Sequence, residues 1–140
     1  MNRIEKQILD EYIIDYNISA ISYKVMGKML DENYVKERLK MFNITDMYIY
    51  GGSYMAVLFY RVGGKYAAIK DVVDKSGRIA AGDFIPVINL EEFCKKYKGE
   101  KVIVTSIRYF PDIKKDLELF VDEKNLIGIW ELLLGIAQND

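Results

Sequence analysis

The chain has 140 residues, 51% of them apolar, which is the size of one ordinary domain able to bury its own core. Its 20 Lys and Arg against 21 Asp and Glu leave a net charge of -1, with no electrostatic footprint for nucleic acid or an anionic membrane. Histidine is absent and the single cysteine is Cys94, which excludes Ser-His and Cys-His nucleophiles, thiolate metal clusters and intramolecular disulfides.

Residues 1–43 read as helices. Ile4, Ile8, Leu9, Tyr12 and Ile13 recur at three- and four-residue spacing, and after a polar break near Asn17 the pattern resumes as Ile18, Ile21, Val25 and Met29. A further short helix is expected from about Asp31 to Phe42, with Val35, Leu39 and Phe42 on one face and Asn43 closing it. This part is expected to form a helical extension packed on a domain spanning 44–140. The first residues, MNRIEKQILDEY, carry acids where a signal peptide would be apolar, and no run approaches the roughly 20 apolar residues of a membrane span. A cytoplasmic protein is expected.

From Thr45 the texture changes to short apolar runs alternating with amphipathic stretches, the pattern of β-α-β units and a parallel sheet. Strands are predicted at about 46–50, 66–73, 86–88, 102–106 and 125–129. In NLEEFCKKYKG, Asn89 is placed to cap a helix, Glu92 takes the capping-box position, Leu90, Phe93, Cys94 and Tyr97 form one stripe, and Gly99 ends it. In FPDIKKDLELF, Pro111 opens a helix with Ile113, Leu117 and Phe120 facing inward. A last helix runs from Trp130 to about Ala137.

The stretch MYIYGGSYMAVLFY admits two readings. Tyr54 to Tyr60 fits a helix apolar on nearly all sides, with Arg61 in its last turn and Gly63 after it. Alternatively, residues 46–73 form three antiparallel strands joined at Gly51-Gly52 and Gly63-Gly64, since aromatic and β-branched residues dominate them. The lack of apolar-polar alternation favours the helix.

The order VKERLKMFNITDMYIYGGSYMAVLFYRV, DVVDKSGRI, IPVINLEEFCKKY and KVIVTSIRYFPDIKKDLELF resembles the Rossmann-like domains that accompany bacterial glycosyltransferases and sugar acyltransferases in surface-polysaccharide pathways. The resemblance covers about residues 34–134. It implies a three-layer α/β fold, a mostly parallel sheet of about five strands, and a nucleotide or nucleotide-sugar site at the strand ends. It does not imply catalysis.

Laid over the dinucleotide fingerprint, the three glycine positions fall on Gly51, Ser53 and Ala56. The first is intact and the third is an accepted substitute. The second carries a side chain where backbone must approach a pyrophosphate, so a full dinucleotide is disfavoured. A single phosphate or carboxylate remains compatible with the amides of Gly52, Ser53 and Tyr54 at a helix N-terminus. The same glycines equally suit a plain strand-to-helix turn. Asp71 has the nominal spacing for a ribose-reading acid, whereas the resemblance points to Asp74; Asp-Lys-Ser-Gly is also simply a good turn. Thr105 and Ser106 would face the glycine turn across a sheet that switches direction between its first and fourth strands, or merely end a strand.

Two Tyr-x-x-x-Lys matches, Tyr66 to Lys70 and Tyr97 to Lys101, lack the structural context of a catalytic pair, and Cys94 sits on an inward stripe. No catalytic constellation, metal site or cofactor is assigned. The expectation is a non-catalytic binding or accessory module for a nucleotide, nucleotide-sugar or other small anionic ligand at Gly51 to Tyr54. The alternative is an interaction subunit with a degenerate site, self-associating through the apolar stripes of its N-terminal helices.

Overall fold

The computed structural model describes residues 1–51, 53–77 and 85–135. Its elements follow one another as α1 (Arg3–Met29), α2 (Glu32–Met41), β1 (Asp46–Tyr50), α3 (Tyr54–Gly63), β2 (Ala68–Val73), β3 (Val87–Ile88), α4 (Leu90–Lys96), β4 (Lys101–Val104), α5 (Phe110–Leu117), a 3-10 turn at Glu123–Asn125, β5 (Leu126–Gly128) and α6 (Ile129–Leu134). The sheet is five-stranded in the order β3-β2-β1-β4-β5, and every pairing is parallel. This is the Rossmann-like three-layer fold, preceded by a helical extension.

Central strands of a parallel sheet are covered on both faces, so they read as continuous apolar runs. Met47, Tyr48, Ile49 and Tyr50 of β1 and Val102, Ile103 and Val104 of β4 are all buried. Alternation along β1 assigns its two faces. Tyr48 and Tyr50 turn toward α4, their rings edge-on to Phe93 at 4.9 and 6.4 Å between centroids. Met47 turns toward α3, where its Cε lies 3.2 Å from where a Cβ on Gly63 would stand. The helices α1, α2, α3 and α6 pack against one another on that second side.

The β1–β2 ladder carries one extra residue in β2. Met47 pairs with Ile69 but Ile49 pairs with Val72, so three steps on β2 span two on β1. After this bulge Tyr50 lies opposite Val73, and Asp74 follows immediately at the strand end.

Several local expectations are corrected. The helix does not break at Asn17: α1 is continuous over 27 residues, opened by a capping box between Asn2 and Glu5. An interior Asn costs under about 1 kcal/mol, too little to end a helix that meets no proline. Residues 1–17 are exposed throughout, and α1 packs on the domain only beyond them, through Ile21, Val25 and Met29. Phe120 is 52% exposed rather than inward, because α5 ends at Leu117. The segment Tyr54 to Tyr60 is helical, which settles the two readings of that stretch. The last helix stops at Leu134 against Gly135 in the left-handed region (φ 69°), and the end placed near Ala137 lies outside the described residues.

The ends of two helices show how the frame is closed. Asn43 (φ 54°) terminates α2, with the Ile44 amide donating to Leu39 O at 3.0 Å and the Asn43 amide to Lys40 O at 3.0 Å. The six-residue α6 has its terminal carbonyls served from α2: Arg38 Nε donates to Leu132 O (2.6 Å), Arg38 Nη2 to Glu131 O (3.3 Å) and Tyr34 Oη to Leu133 O (2.6 Å). Among the described residues no helix is long and apolar enough to cross a membrane.

Candidate functional site at the sheet switch point

After β1 the chain moves to β2 on one side, and it returns through β4 on the other. The carboxyl ends of β1 and β4 therefore flank the switch point, where ligands bind in open α/β sheets. A crevice of about 460 Å3 opens there, within the range of small-molecule pockets. Tyr50, Gly51, Ser53, Asp74 and Ser106 line it from the strand ends and the turns that follow, and Tyr109, Asp112, Ile113 and Asp116 line it from α5 and its entry.

The glycine turn is dictated first by packing. Gly51 leaves β1 at φ +133°, and a Cβ there would stand 2.5 Å from Thr105 Oγ1. Its amide donates to Val73 O at 2.9 Å, so β1 and β2 remain joined to their last residues. Gly52 lies outside the described residues. Ser53 is the N-cap of α3 with extended backbone (φ -103°, ψ 176°), yet its hydroxyl makes no capping hydrogen bond. Its carbonyl accepts from the Ala56 and Val57 amides at 3.1 and 3.3 Å. The N-terminus of α3 thus presents a hydroxyl and first-turn amides without the side-chain acceptor that usually quenches them. Tyr54 is exposed on this turn, and Ala56 is fully buried where the helix approaches the sheet.

The other expected residues divide. Asp74 lines the crevice, but its Oδ2 also accepts from the Ser76 amide (3.1 Å) and from the Ser76 hydroxyl, so it makes the turn as well. Asp71 points elsewhere and pairs with Lys96 at 3.4 Å. Thr105 is buried and structural, its hydroxyl donating to Tyr50 O at 3.3 Å. Ser106 reaches the crevice while its Oγ accepts from the Tyr109 amide at 3.3 Å.

Three participants escaped the sequence reading. Asp112 and Asp116, four residues apart on one face of α5, enter the crevice beside the buried Ile113. The i, i+4 acids next to an inward stripe were the available signal. The third is Tyr50, which is 2% exposed and whose Oη has no hydrogen-bond partner among the described residues. Burial, then the nearby carboxylates of Asp116 and Asp74, push its phenol up to about 12, so it is a neutral hydroxyl at working pH. Against the three carboxylates stands Lys75, whose Nζ lies 3.3 Å from Asp116.

Both Tyr-x-x-x-Lys pairs are structural. Tyr66 Oη donates to Glu32 Oε2 at 3.2 Å, Tyr97 Oη to Glu100 O at 2.7 Å, and Lys101 Nζ to Asn125 Oδ1 at 3.1 Å. Cys94 is half-buried, and burial pushes its thiol up, away from nucleophilic character. Among the described residues no group of three or more His, Cys, Asp or Glu side chains is arranged to hold a metal ion. Comparison with protein-family models, with curated proteins and with solved structures finds no match, so the resemblance to glycosyltransferase-associated domains rests on its residues alone.

Proposed function

We propose that the chain is a non-catalytic Rossmann-like binding module that takes a small ligand in the switch-point crevice, with a nucleotide or nucleotide-sugar as the class its motif order suggests. The observation that carries this reading is the crevice itself, which combines the uncapped N-terminus of α3 with the buried, unpartnered Tyr50 hydroxyl. Leaving a buried hydroxyl unpaired costs about 1–3 kcal/mol, and a ligand atom within reach removes that cost. The bacterial surface-polysaccharide setting comes with the motif resemblance and is part of the same proposal, and a cytoplasmic location is proposed beside it on the single cysteine, which suits a reducing compartment. Thermal unfolding of the full chain with millimolar nucleotides and nucleotide-sugars tests it. Ligand at a hundred times its dissociation constant adds about 2.7 kcal/mol, so a saturating binder raises the transition clearly. The rise should shrink in Tyr50→Phe. No shift with any of these ligands would overturn the nucleotide reading.

A second reading, compatible with the first, is self-association through α1. Residues 1–17 project as an exposed helix carrying Ile4, Ile8, Leu9, Tyr12, Ile13 and Tyr16. Two cations, Arg3 and Lys6, stand there against four acids, Glu5, Asp10, Glu11 and Asp15, a balance unsuited to an anionic membrane. A second copy fits better. Two-fold antiparallel pairing buries the apolar face of each copy against that of the other. Light scattering on the full chain should give a dimer, and Ile8→Asp with Tyr12→Asp should give a folded monomer. A monomeric parent chain at tens of micromolar would remove this reading.

A further inference from the structure

The two walls of the crevice carry opposite electrostatic character. On one side stands the ten-residue α3, whose first-turn amides and macrodipole favour a negative group and whose Ser53 hydroxyl is not spent on capping. On the other stand Asp112 and Asp116 from α5, with Asp74 at the end of β2. The cation among the described lining residues, Lys75, is 72% exposed, and its contact with Asp116 is a surface pair of little strength. A ligand with negative charge along its whole length would bring part of that charge against three carboxylates, and like charges at such separations repel strongly once water is displaced.

Tyr50 lines the floor between the walls, and its hydroxyl lies near Asp74 and Asp116. It is buried, it lacks a partner among the described residues, and it is neutral, so its oxygen is free to accept. An acceptor beside carboxylates is an environment for a hydrogen-bond donor carrying positive charge. A primary ammonium supplies three such donors.

We propose that the crevice binds a zwitterionic small molecule, its anionic group at the N-terminus of α3 and its ammonium held by Tyr50 Oη, Asp112 and Asp116. This rests on the crevice-binding reading above and gives the crevice a ligand class other than the nucleotides of the motif order. It also gives a further role to the two α5 acids: Asp112 is exposed in the first turn of the helix, and Asp116 has the weak Lys75 contact.

The test uses three probes of one shape and different charge: glucosamine 6-phosphate, glucose 6-phosphate and glucosamine. Each is titrated into the isotopically labelled full chain and followed by amide chemical shifts at Ser53, Tyr54 and residues 106–110 and 112–116. The zwitterion should bind at least about tenfold more tightly than either singly functional probe, as expected when two charge-assisted contacts act together. Asp112→Asn with Asp116→Asn should bring its affinity within about twofold of glucose 6-phosphate. Should the double variant lose its fold, the exposed Asp112→Asn alone should still narrow the gap. Equal or tighter binding of glucose 6-phosphate by the parent chain overturns the zwitterion proposal and leaves crevice binding standing. A tenfold preference that survives both α5 substitutions in a folded chain also overturns it. If none of the three shifts these amides the zwitterion proposal falls, and if the nucleotide series is silent as well, so does crevice binding.

Discussion

The two halves of α1 are one uninterrupted helix with similar apolar content and opposite fates. From Ile18 onward it turns Ile21, Val25 and Met29 onto the domain, and Val25 is fully buried. Through residue 17 it carries comparable apolar side chains into solvent. Amphipathic spacing therefore establishes that a helix has something to bury without establishing where the partner lies. The packed half meets α2, α3 and α6 of its own chain; the free half extends about 25 Å at 1.5 Å per residue. The joint between them is marked by an ion pair of Asp15 with Arg108 in the loop that enters α5.

The largest expected effect tests the packed half. Val25→Asp buries a carboxylate with no partner on an apolar face and should cost more than about 4 kcal/mol, enough to abolish the cooperative transition in urea. A chain that still unfolded cooperatively with a loss under 1 kcal/mol would mean that α1 is not needed by the domain. Next comes Arg38→Ala, which strips two donors from the carbonyls of α6, the helix against which α1 rests. A loss of about 2–3 kcal/mol is expected, because hydrogen bonds from charged donors are the strong ones and Leu132 O loses its Arg38 donor, whereas Glu131 O keeps the Gly135 amide. Trp130, the only tryptophan and buried beside Phe110, reports both unfolding transitions by fluorescence.

Smaller effects probe the joint and the free half. Asp15→Asn should cost no more than about 1 kcal/mol, since both members of the pair are substantially exposed, and 1 M salt should erase the difference from the parent. Ile8→Asp should change the stability of the isolated domain by less than about 0.5 kcal/mol in urea, measured at a concentration where the chain is monomeric. A loss as large as that of Val25→Asp would place Ile8 in a contact with the same domain and end the distinction between the halves.

Most of the frame was legible because its signals are local. The run Met47 to Tyr50, the Asn89 cap that accepts from the Glu92 amide at 2.9 Å, and Asn43 at the end of α2 are each written within a few residues. What escaped depends on distant partners. Arg38 and Tyr34 close a helix more than 90 residues away, and no periodicity announces that service. Tyr50 reads as a core aromatic, and only the folded arrangement strands its hydroxyl near Asp74 and Asp116. The glycine turn divides in the same way. Gly51 was legible as a turn, but its proximity to Thr105, which excludes any larger residue, belongs to the register of β1 against β4. Asn17 shows the converse error, a polar residue given the weight of a boundary although a long helix absorbs it.

The bulge in β2 bears on which acid reaches this crevice. Paired in a regular ladder, the same sequence would set Asp71 opposite Ile49 in the middle of the sheet, and Val73 instead of Asp74 would stand beside Gly51. For anyone grafting this site onto another parallel sheet, the irregular ladder has to travel with the side chains.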